Sequence, residues 1–371
     1  MEIIIYSKSL DVMNRSHANT SSKIFEIEFA QSLAQHAKVS VVSYCAKSDM
    51  DYKNVRLFSL ERDKTIADAI ESTIIKKSLF KESQKVIIAF GYDLKVFKQL
   101  KKLSKLYNSK LVSYTFDTHK GVTSSSSFLK KNLINLYFQF GIRYLNNIDG
   151  IILFNKEAYK EMKLKIPFLV SKVGINKESI VPDVYLRKSN EKFKVVYTGT
   201  LIEYNSIETL IKTMSYLEGQ NIFLDIYGNG PLKSYVEDHA RKSTNITYHG
   251  LVSNSQINSA ISKADLLINL RDTENYISKF AFPSKMIQYM ASGIPVLTTN
   301  VLKEKEFCEA TFTIDDLNPK KVMSLIIYIK NNPLLQTKKS EYAKEYIKEN
   351  FLWSNIIGDV IQFLDFDCNR Q

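Results

Sequence analysis

Short apolar runs alternate with stretches of three- and four-residue apolar spacing along almost the whole chain, and the alternation starts twice. In the first series the runs are Ile3–Tyr6, Val39–Tyr44, Val55–Phe58, Val86–Phe90, Leu111–Phe116 and Gly150–Phe154, with helical spacing over Ile24–Ala37 and Leu94–Leu106. In the second they are Phe193–Tyr197, Ile222–Tyr227, Ile246–Tyr248, Asp265–Asn269, Pro295–Thr298 and Phe312–Ile314. Helices are expected there near Ser206–Leu217, Leu232–Arg241, Ser255–Ser262 and Pro283–Ala291. Strands alternating with helices imply βαβ units and parallel sheets. The fold class expected is therefore α/β, with two Rossmann-like doubly wound sheets facing across a cleft. The boundary falls in the polar stretch Pro182–Glu191, which sets domains at 1–185 and 186–350 and leaves 351–371 as a tail. Low complexity is confined to Ser124–Ser127, read as a loop.

A length of 371 residues suits about two domains at roughly 100–200 residues each. No apolar run approaches the roughly 18 residues of a spanning helix. Met1–Tyr6 is too short and too acidic for a signal peptide. The three cysteines, Cys45, Cys308 and Cys368, are scattered and form no CxxC, so neither a disulfide framework nor a zinc site is indicated. A cytoplasmic protein is the default expectation.

Charge is divided unevenly. Residues 1–190 hold 31 Lys and Arg against 18 Asp and Glu, an excess of 13, whereas residues 191–371 hold 20 against 21. The first half thus faces an anionic partner. Lys130 and Lys131 lie among Phe128, Leu129, Leu133, Leu136, Tyr137 and Phe138, a mixture that suits a helix on anionic lipid and equally a solvated helix with a core stripe. On the lipid reading the protein is expected peripherally on the inner face of the cell membrane. No nucleic-acid-binding pattern accompanies the charge, so nucleic acid is not the expected partner.

Four segments of the second half carry chemistry. Tyr197-Thr198-Gly199-Thr200-Leu201 ends its first strand, and Gly199 lets a ligand approach the backbone. Tyr227-Gly228-Asn229-Gly230-Pro231 is a sharp turn after a strand. Gly250, in Tyr248-His249-Gly250-Leu251, leaves the backbone bare against a flat ring. Each of these is equally readable as an ordinary turn. The fourth is Asn269-Leu270-Arg271-Asp272, then Lys279-Phe280-Ala281-Phe282-Pro283-Ser284-Lys285 through Gln288, Tyr289-Met290-Ala291-Ser292-Gly293 and Ile294-Pro295-Val296. Pro283 fits a first helical turn, so Ser284 and Lys285 sit where free N–H groups and the helix dipole favour a phosphate.

In this order the four segments resemble the donor-binding domain of the GT-B retaining glycosyltransferases of family 4, in the bacterial subgroup with a Phe-Pro-Ser-Lys…Tyr-Met-Ala-Ser-Gly-x-Pro-Val pattern. The match covers most of 193–300; the first half resembles the family in layout only. Phe351-Leu352-Trp353 and the apolar helix after it look like the family's last helix, which crosses back to the first domain. The resemblance implies that Gly199 and Thr200 face a donor diphosphate, Tyr227, Gly228 and Gly230 shape the nucleotide pocket, and His249, Gly250 and Leu251 lie near the base. Arg271, Lys279, Ser284 and Lys285 would hold phosphate. Glu274, read from its place with Asp272 on a loop entering the cleft, suits sugar hydroxyls, and a solvated acidic loop is the competing reading. Gln288 takes the slot of the second Glu of the family's Glu-x7-Glu motif, and Phe280 that of the first. Thr200 and Asn205 replace the usual phosphate-binding Arg/Lys pair.

In the first half the family's His after the corresponding strand matches His119, with Asp117 beside it; these are the catalytic candidates. Arg15, His17 and Asn19, in the loop after the first strand, are the acceptor-side candidates, though the segment reads equally as a polar surface loop. Asp365-Phe366-Asp367 imitates the metal motif of the other glycosyltransferase fold but follows a helix, so no metal and no cofactor are expected. The resemblance implies sugar transfer from a nucleotide-diphosphate donor to a lipid-linked or oligosaccharide acceptor, with retention and without metal, in surface polysaccharide or glycolipid synthesis. The competing readings are a non-catalytic subunit that positions a partner glycosyltransferase, a GT-B epimerase and a basic nucleic-acid binder.

Overall fold

In a computed structural model the described residues are 1–8, 21–44, 49–115, 128–181, 192–275, 278, 284–300 and 304–365, with side chains described from 23 and from 132 in the helices opening at 21 and 128. His119, Asp117, Arg15, His17, Asn19 and Lys279 lie outside the described residues, as does the boundary stretch 182–191.

The first sheet holds β1 (Glu2–Tyr6), β2 (Lys38–Ser43), β3 (Met50–Tyr52), β4 (Val55–Ser59), β5 (Lys85–Phe90), β6 (Lys110–Thr115), β7 (Gly150–Leu153) and β8 (Phe168–Val170). Its order is β3-β4-β2-β1-β5-β6-β7-β8, parallel except for β3. The second holds β9 (Phe193–Thr198), β10 (Ile222–Tyr227), β11 (Ile246–Gly250), β12 (Leu266–Asn269), β13 (Val296–Thr299) and β14 (Phe312–Ile314), all parallel, in the order β11-β10-β9-β12-β13-β14. Both are doubly wound, as the alternation predicts. The edge strands β3 and β8 escape sequence reading because neither buries a residue fully, so no buried apolar run marks them. β3 is joined to β4 by a two-residue turn with Lys53 at φ 53°.

The helices are α1 (Ser21–Leu33), α2 (Ile66–Lys76), α3 (Leu94–Leu106), α4 (Phe128–Leu145), α5 (Lys156–Glu161), α6 (Ile207–Tyr216), α7 (Lys233–Lys242), α8 (Asn254–Ser262), α9 (Ser284–Ala291), α10 (Lys305–Ala310), α11 (Pro319–Lys330), α12 (Pro333–Asn350) and α13 (Trp353–Asp365). α1 ends four residues before the periodicity does, because Ala34 and Ala37 continue to pack on the core from the turn that follows. Alternation within each strand feeds both faces of its sheet. Ile4 and Tyr6 join the core under α2, α3 and α4, while Ile3 and Ile5 join the one under α1 and α13. Strands buried on both faces read as continuous apolar runs, which is why they were legible.

α13 follows the second sheet in sequence yet packs on the first, with Trp353, Ile356, Ile357, Val360 and Leu364 in the core of Phe25, Phe29 and Tyr114. The chain passes between the sheets twice, and the two passages are tied together. Ile175 N–H donates to Phe351 O at 2.8 Å, and Trp353 N–H donates to Ile175 O at 3.1 Å. Trp353 Nε1 donates to Glu28 Oε2 at 3.3 Å, and burial raises the Glu28 carboxyl above its usual range. The indole also lies against Gly174, where a Cβ would come within 2.3 Å of the ring. Trp353→Ala is expected to cost about 3–5 kcal/mol, the usual loss for a buried Trp. Urea unfolding monitored on the first domain checks this; a loss below 1 kcal/mol would deny α13 its part in that core.

Candidate functional site

In a doubly wound sheet, ligands bind outside the carboxyl ends of the strands where the strand order reverses. In the second sheet that point lies between β9 and β12. β9 ends in Thr198 and Gly199, and β12 ends in Asn269, followed by Leu270 and Arg271. The N-terminus of α9 brings Lys285 to the same place.

Lys285 Nζ donates to Thr198 O at 2.8 Å. A Cβ on Gly199 would stand 2.1 Å from that nitrogen, so the ammonium uses the space that glycine leaves. Part of the Lys285 chain stays open to solvent while its ammonium is enclosed. Burial, then the Arg271 charge, lowers its pKa to about 8. Two phenols frame the loop. Tyr197 Oη donates to Thr200 O at 2.9 Å, and Tyr289 Oη accepts from Thr198 N–H at 2.9 Å. Burial moves Tyr289 up to about 12 and Tyr197 higher still, so both stay neutral donors. The backbone N–H of Arg271 donates to Thr299 Oγ1 at 3.1 Å, which fixes the main chain there. Buried Asn269 has a side-chain nitrogen without a hydrogen-bond partner among the described residues. A partly desolvated lysine with an arginine beside it, backed by a bare glycine, is an arrangement that can hold an anion.

Three loop ends are laced together beside it. Gly199 N–H donates to Tyr227 O at 2.8 Å, Gly228 N–H to Gly250 O at 2.8 Å, and Leu201 N–H to Asn229 O at 3.0 Å. A Cβ on Gly228 would fall 1.8 Å from Gly199 O, and one on Gly230 2.4 Å from Leu201 O. These glycines therefore close loop on loop. Gly250, at φ 70°, would meet almost nothing, which leaves its backbone bare.

The remaining residues are placed as follows. Asn205 is buried and its Nδ2 donates to Thr200 O at 2.8 Å, so it braces the β9 loop. The turn Glu203–Asn205 leads into α6, which Ser206 caps at φ 51°, so the helix opens where the sequence places it. His249 stacks on Tyr227 with centroids 4.3 Å apart, and its Nε2 lies 2.9 Å from Asp225 Oδ1. Exposed Leu251 borders a hollow of about 340 Å³ that Asn229, Tyr248 and Gly250 also line. Glu274 lies on an exposed turn pinned by Asp272, whose Oδ1 accepts from Glu274 N–H at 2.9 Å. Exposed Gln288 turns toward α8, its Nε2 donating to Asn258 Oδ1 at 3.4 Å, rather than toward Lys285. Ser284 opens α9 and is half-buried. Sequence reading missed Tyr289 and Asp225. Helical spacing of four from Lys285 marks the first, and strand spacing of two from Tyr227 marks the second.

Two Rossmann-like domains of this topology define the GT-B fold. Residues 183–349 match the family model for glycosyl transferases group 1. Among solved structures, HepE of Anabaena in complex with UDP and glucose is similar at 12% identity and TM-score 0.67, covering 98% of this chain and 99% of that one. WaaG, a glycosyltransferase of lipopolysaccharide biosynthesis, matches at 13% identity and TM-score 0.66 with the same coverage. A glycosyltransferase from Rickettsia africae matches at 13% identity and TM-score 0.69, over 100% of this chain and 99% of that one. No curated protein matches the chain by sequence. Among the described residues no helix is long and apolar enough to cross a membrane, and no three His, Cys, Asp or Glu side chains gather as a metal site.

Proposed function

We propose that the protein transfers a sugar from a nucleoside-diphosphate donor to a lipid-linked or saccharide acceptor, with retention of configuration and without a metal ion, in surface polysaccharide or glycolipid synthesis. The observation that carries this reading is the meeting of Lys285, Arg271 and Gly199 at the switch point of a domain that matches glycosyl transferases group 1. The presence of UDP in the HepE structure supports a nucleotide donor.

In this mechanism the donor diphosphate lies against Gly199, and Lys285 leaves the Thr198 carbonyl for a phosphate oxygen. Lys285 and Arg271 neutralise the charge that grows on the leaving diphosphate, the electrostatic stabilisation on which such transfer depends. Their positions replace the basic pair that Thr200 and Asn205 do not supply. Closure between the domains would exclude water and favour transfer over hydrolysis. His119 and Asp117 would act at the reacting sugar, and Arg15, His17 and Asn19 on the acceptor.

The test is a thermal-shift screen against nucleoside-diphosphate sugars, with free UDP and GDP included. A ligand at 100 times its Kd stabilises the native state by about 2.7 kcal/mol. A selective shift, with transfer lost in His119→Ala, is expected. Donor binding without transfer to any acceptor would favour the non-catalytic subunit, a reading to which Gln288 in a glutamate slot lends its support. No shift with any donor would sink the transferase reading and point to the non-catalytic subunit.

A further inference from the structure

α3 and α4 pack side by side on one face of the first sheet, where Val96, Phe97 and Leu100 meet Ile142 and Leu145. Neither helix contains an Asp or a Glu. α3 turns Lys95, Lys98, Lys102 and Lys105 to solvent at intervals of three and four, which is one stripe. None of the four has an acidic partner among the described residues. Nearby lysines differ: Lys76 pairs with Glu61, Lys77 with Asp49 and Lys101 with Asp149.

α4 is apolar on two faces. Ile142 and Leu145 go to the core, with Phe138 packed against it. Leu133, Leu136 and Phe140, spaced three and four apart, remain 69%, 49% and 49% exposed. Leu106 at the end of α3 is exposed as well. A surface helix normally keeps one apolar stripe, for the core. The second stripe lies beside a row of uncompensated lysines, which selects an anionic partner with an apolar interior. Tyr137 Oη donates to Asp93 Oδ1 at 3.0 Å, and Asp93 caps α3. That bond fixes the same stretch of α4 at the carboxyl end of β5, the end of the sheet where ligands are handled.

We propose that the outer face of α3 and α4 docks on an anionic lipid bilayer, with the lysines at the headgroups and Leu133, Leu136 and Phe140 entering the acyl boundary. Docking in this pose brings the membrane surface to the acceptor side of the first domain, so a lipid-borne acceptor reaches the site without leaving the bilayer. The use made of docking rests on the glycosyltransferase reading; docking itself does not.

Flotation with vesicles of phosphatidylglycerol and phosphatidylethanolamine, against phosphatidylcholine alone, tests it. The protein is expected to float with the anionic vesicles and not with phosphatidylcholine. A Lys98→Glu, Lys102→Glu, Lys105→Glu variant should partition less by on the order of 100-fold. A Leu133→Ser, Leu136→Ser, Phe140→Ser variant should keep only binding that raised salt abolishes. Thermal melting with a nucleoside-diphosphate sugar, run on the same variants, should match wild type and so report folding and donor binding separately. Failure of the wild type to float, flotation of both variants like wild type, or binding of duplex DNA by these lysines with vesicles left unbound would each overturn the proposal. Flotation by a protein that binds no donor would overturn the transferase reading alone.

Discussion

Lys285→Met is expected to weaken nucleoside-diphosphate binding by on the order of 100- to 1,000-fold, the cost of truncating one partner of an enclosed, hydrogen-bonded charge pair. Methionine keeps the stem of the lysine and its packing. It also removes a desolvated ammonium that sits near Arg271, so the unliganded variant should be no less stable than wild type. Isothermal titration with UDP and GDP measures the first effect and urea unfolding the second. Unchanged affinity would remove Lys285 from the site.

The same residue gives a pH dependence of defined sign. Burial places the Lys285 pKa at about 8, below the ordinary value of 10.5. Binding a diphosphate requires the protonated form, so affinity should fall about tenfold per unit above about pH 8, where the charge of the diphosphate itself no longer changes. Stability of the unliganded protein runs the other way. Between the folded and unfolded pKa values the unfolded chain holds the extra proton, so this group makes stability rise as pH climbs from about 8 towards 10.5. Lys285→Met should abolish both trends. A wild-type affinity that does not fall above pH 8 would show that the ammonium is not the group that meets the anion.

Gly228→Ala should destabilise the second domain by about 3–5 kcal/mol, combining steric overpacking with backbone strain. The new methyl would stand 1.8 Å from Gly199 O and 2.8 Å from its carbonyl carbon, both backbone atoms with nowhere to swing. At φ 141° the backbone is also one that side chains rarely adopt. Moving either loop breaks the bond from Gly199 to Tyr227 O or that from Gly228 to Gly250 O, and displaces the surface against which Lys285 rests. The melting temperature should fall by on the order of 10 °C, with donor binding lost. Gly219→Ala is the control. Its φ is 78°, but its Cβ would meet nothing within 4 Å, so it should cost only about 1–2 kcal/mol. Equal losses in the two variants would mean that strain, and not the packing of loop on loop, is what Gly228 answers.

Much of this was open to reading in the chain itself. Buried strands such as Glu2–Tyr6 and Lys85–Phe90 were delimited by sequence to within a residue because parallel strands buried on both faces carry their apolar content in continuous runs. The position of Lys285 at a helix start followed from local chemistry. What Lys285 touches did not. Its contacts to Thr198 and Gly199 join residues 86 or more positions apart, and no local pattern encodes such a meeting. Gln288 is the opposite case: its slot in the motif aims it at a ligand, while its neighbour across space, Asn258, holds it toward α8.

The sequence by itself determined the α/β class, the second start of the strand series, the place of the chemical loops at strand ends and the uneven division of charge, since all of these are properties of neighbouring residues or of composition. Only the tertiary structure decided that β9 and β12 are adjacent, that the Lys285 ammonium takes the space at Gly199 with the Arg271 charge acting on it, and that α13 returns to the first sheet. It also decided that the apolar stripe of α4 stands outside the core, beside the lysines of α3. The reason is physical: periodicity says which face of an element is apolar, but which element covers that face is settled by packing between segments that are far apart along the chain.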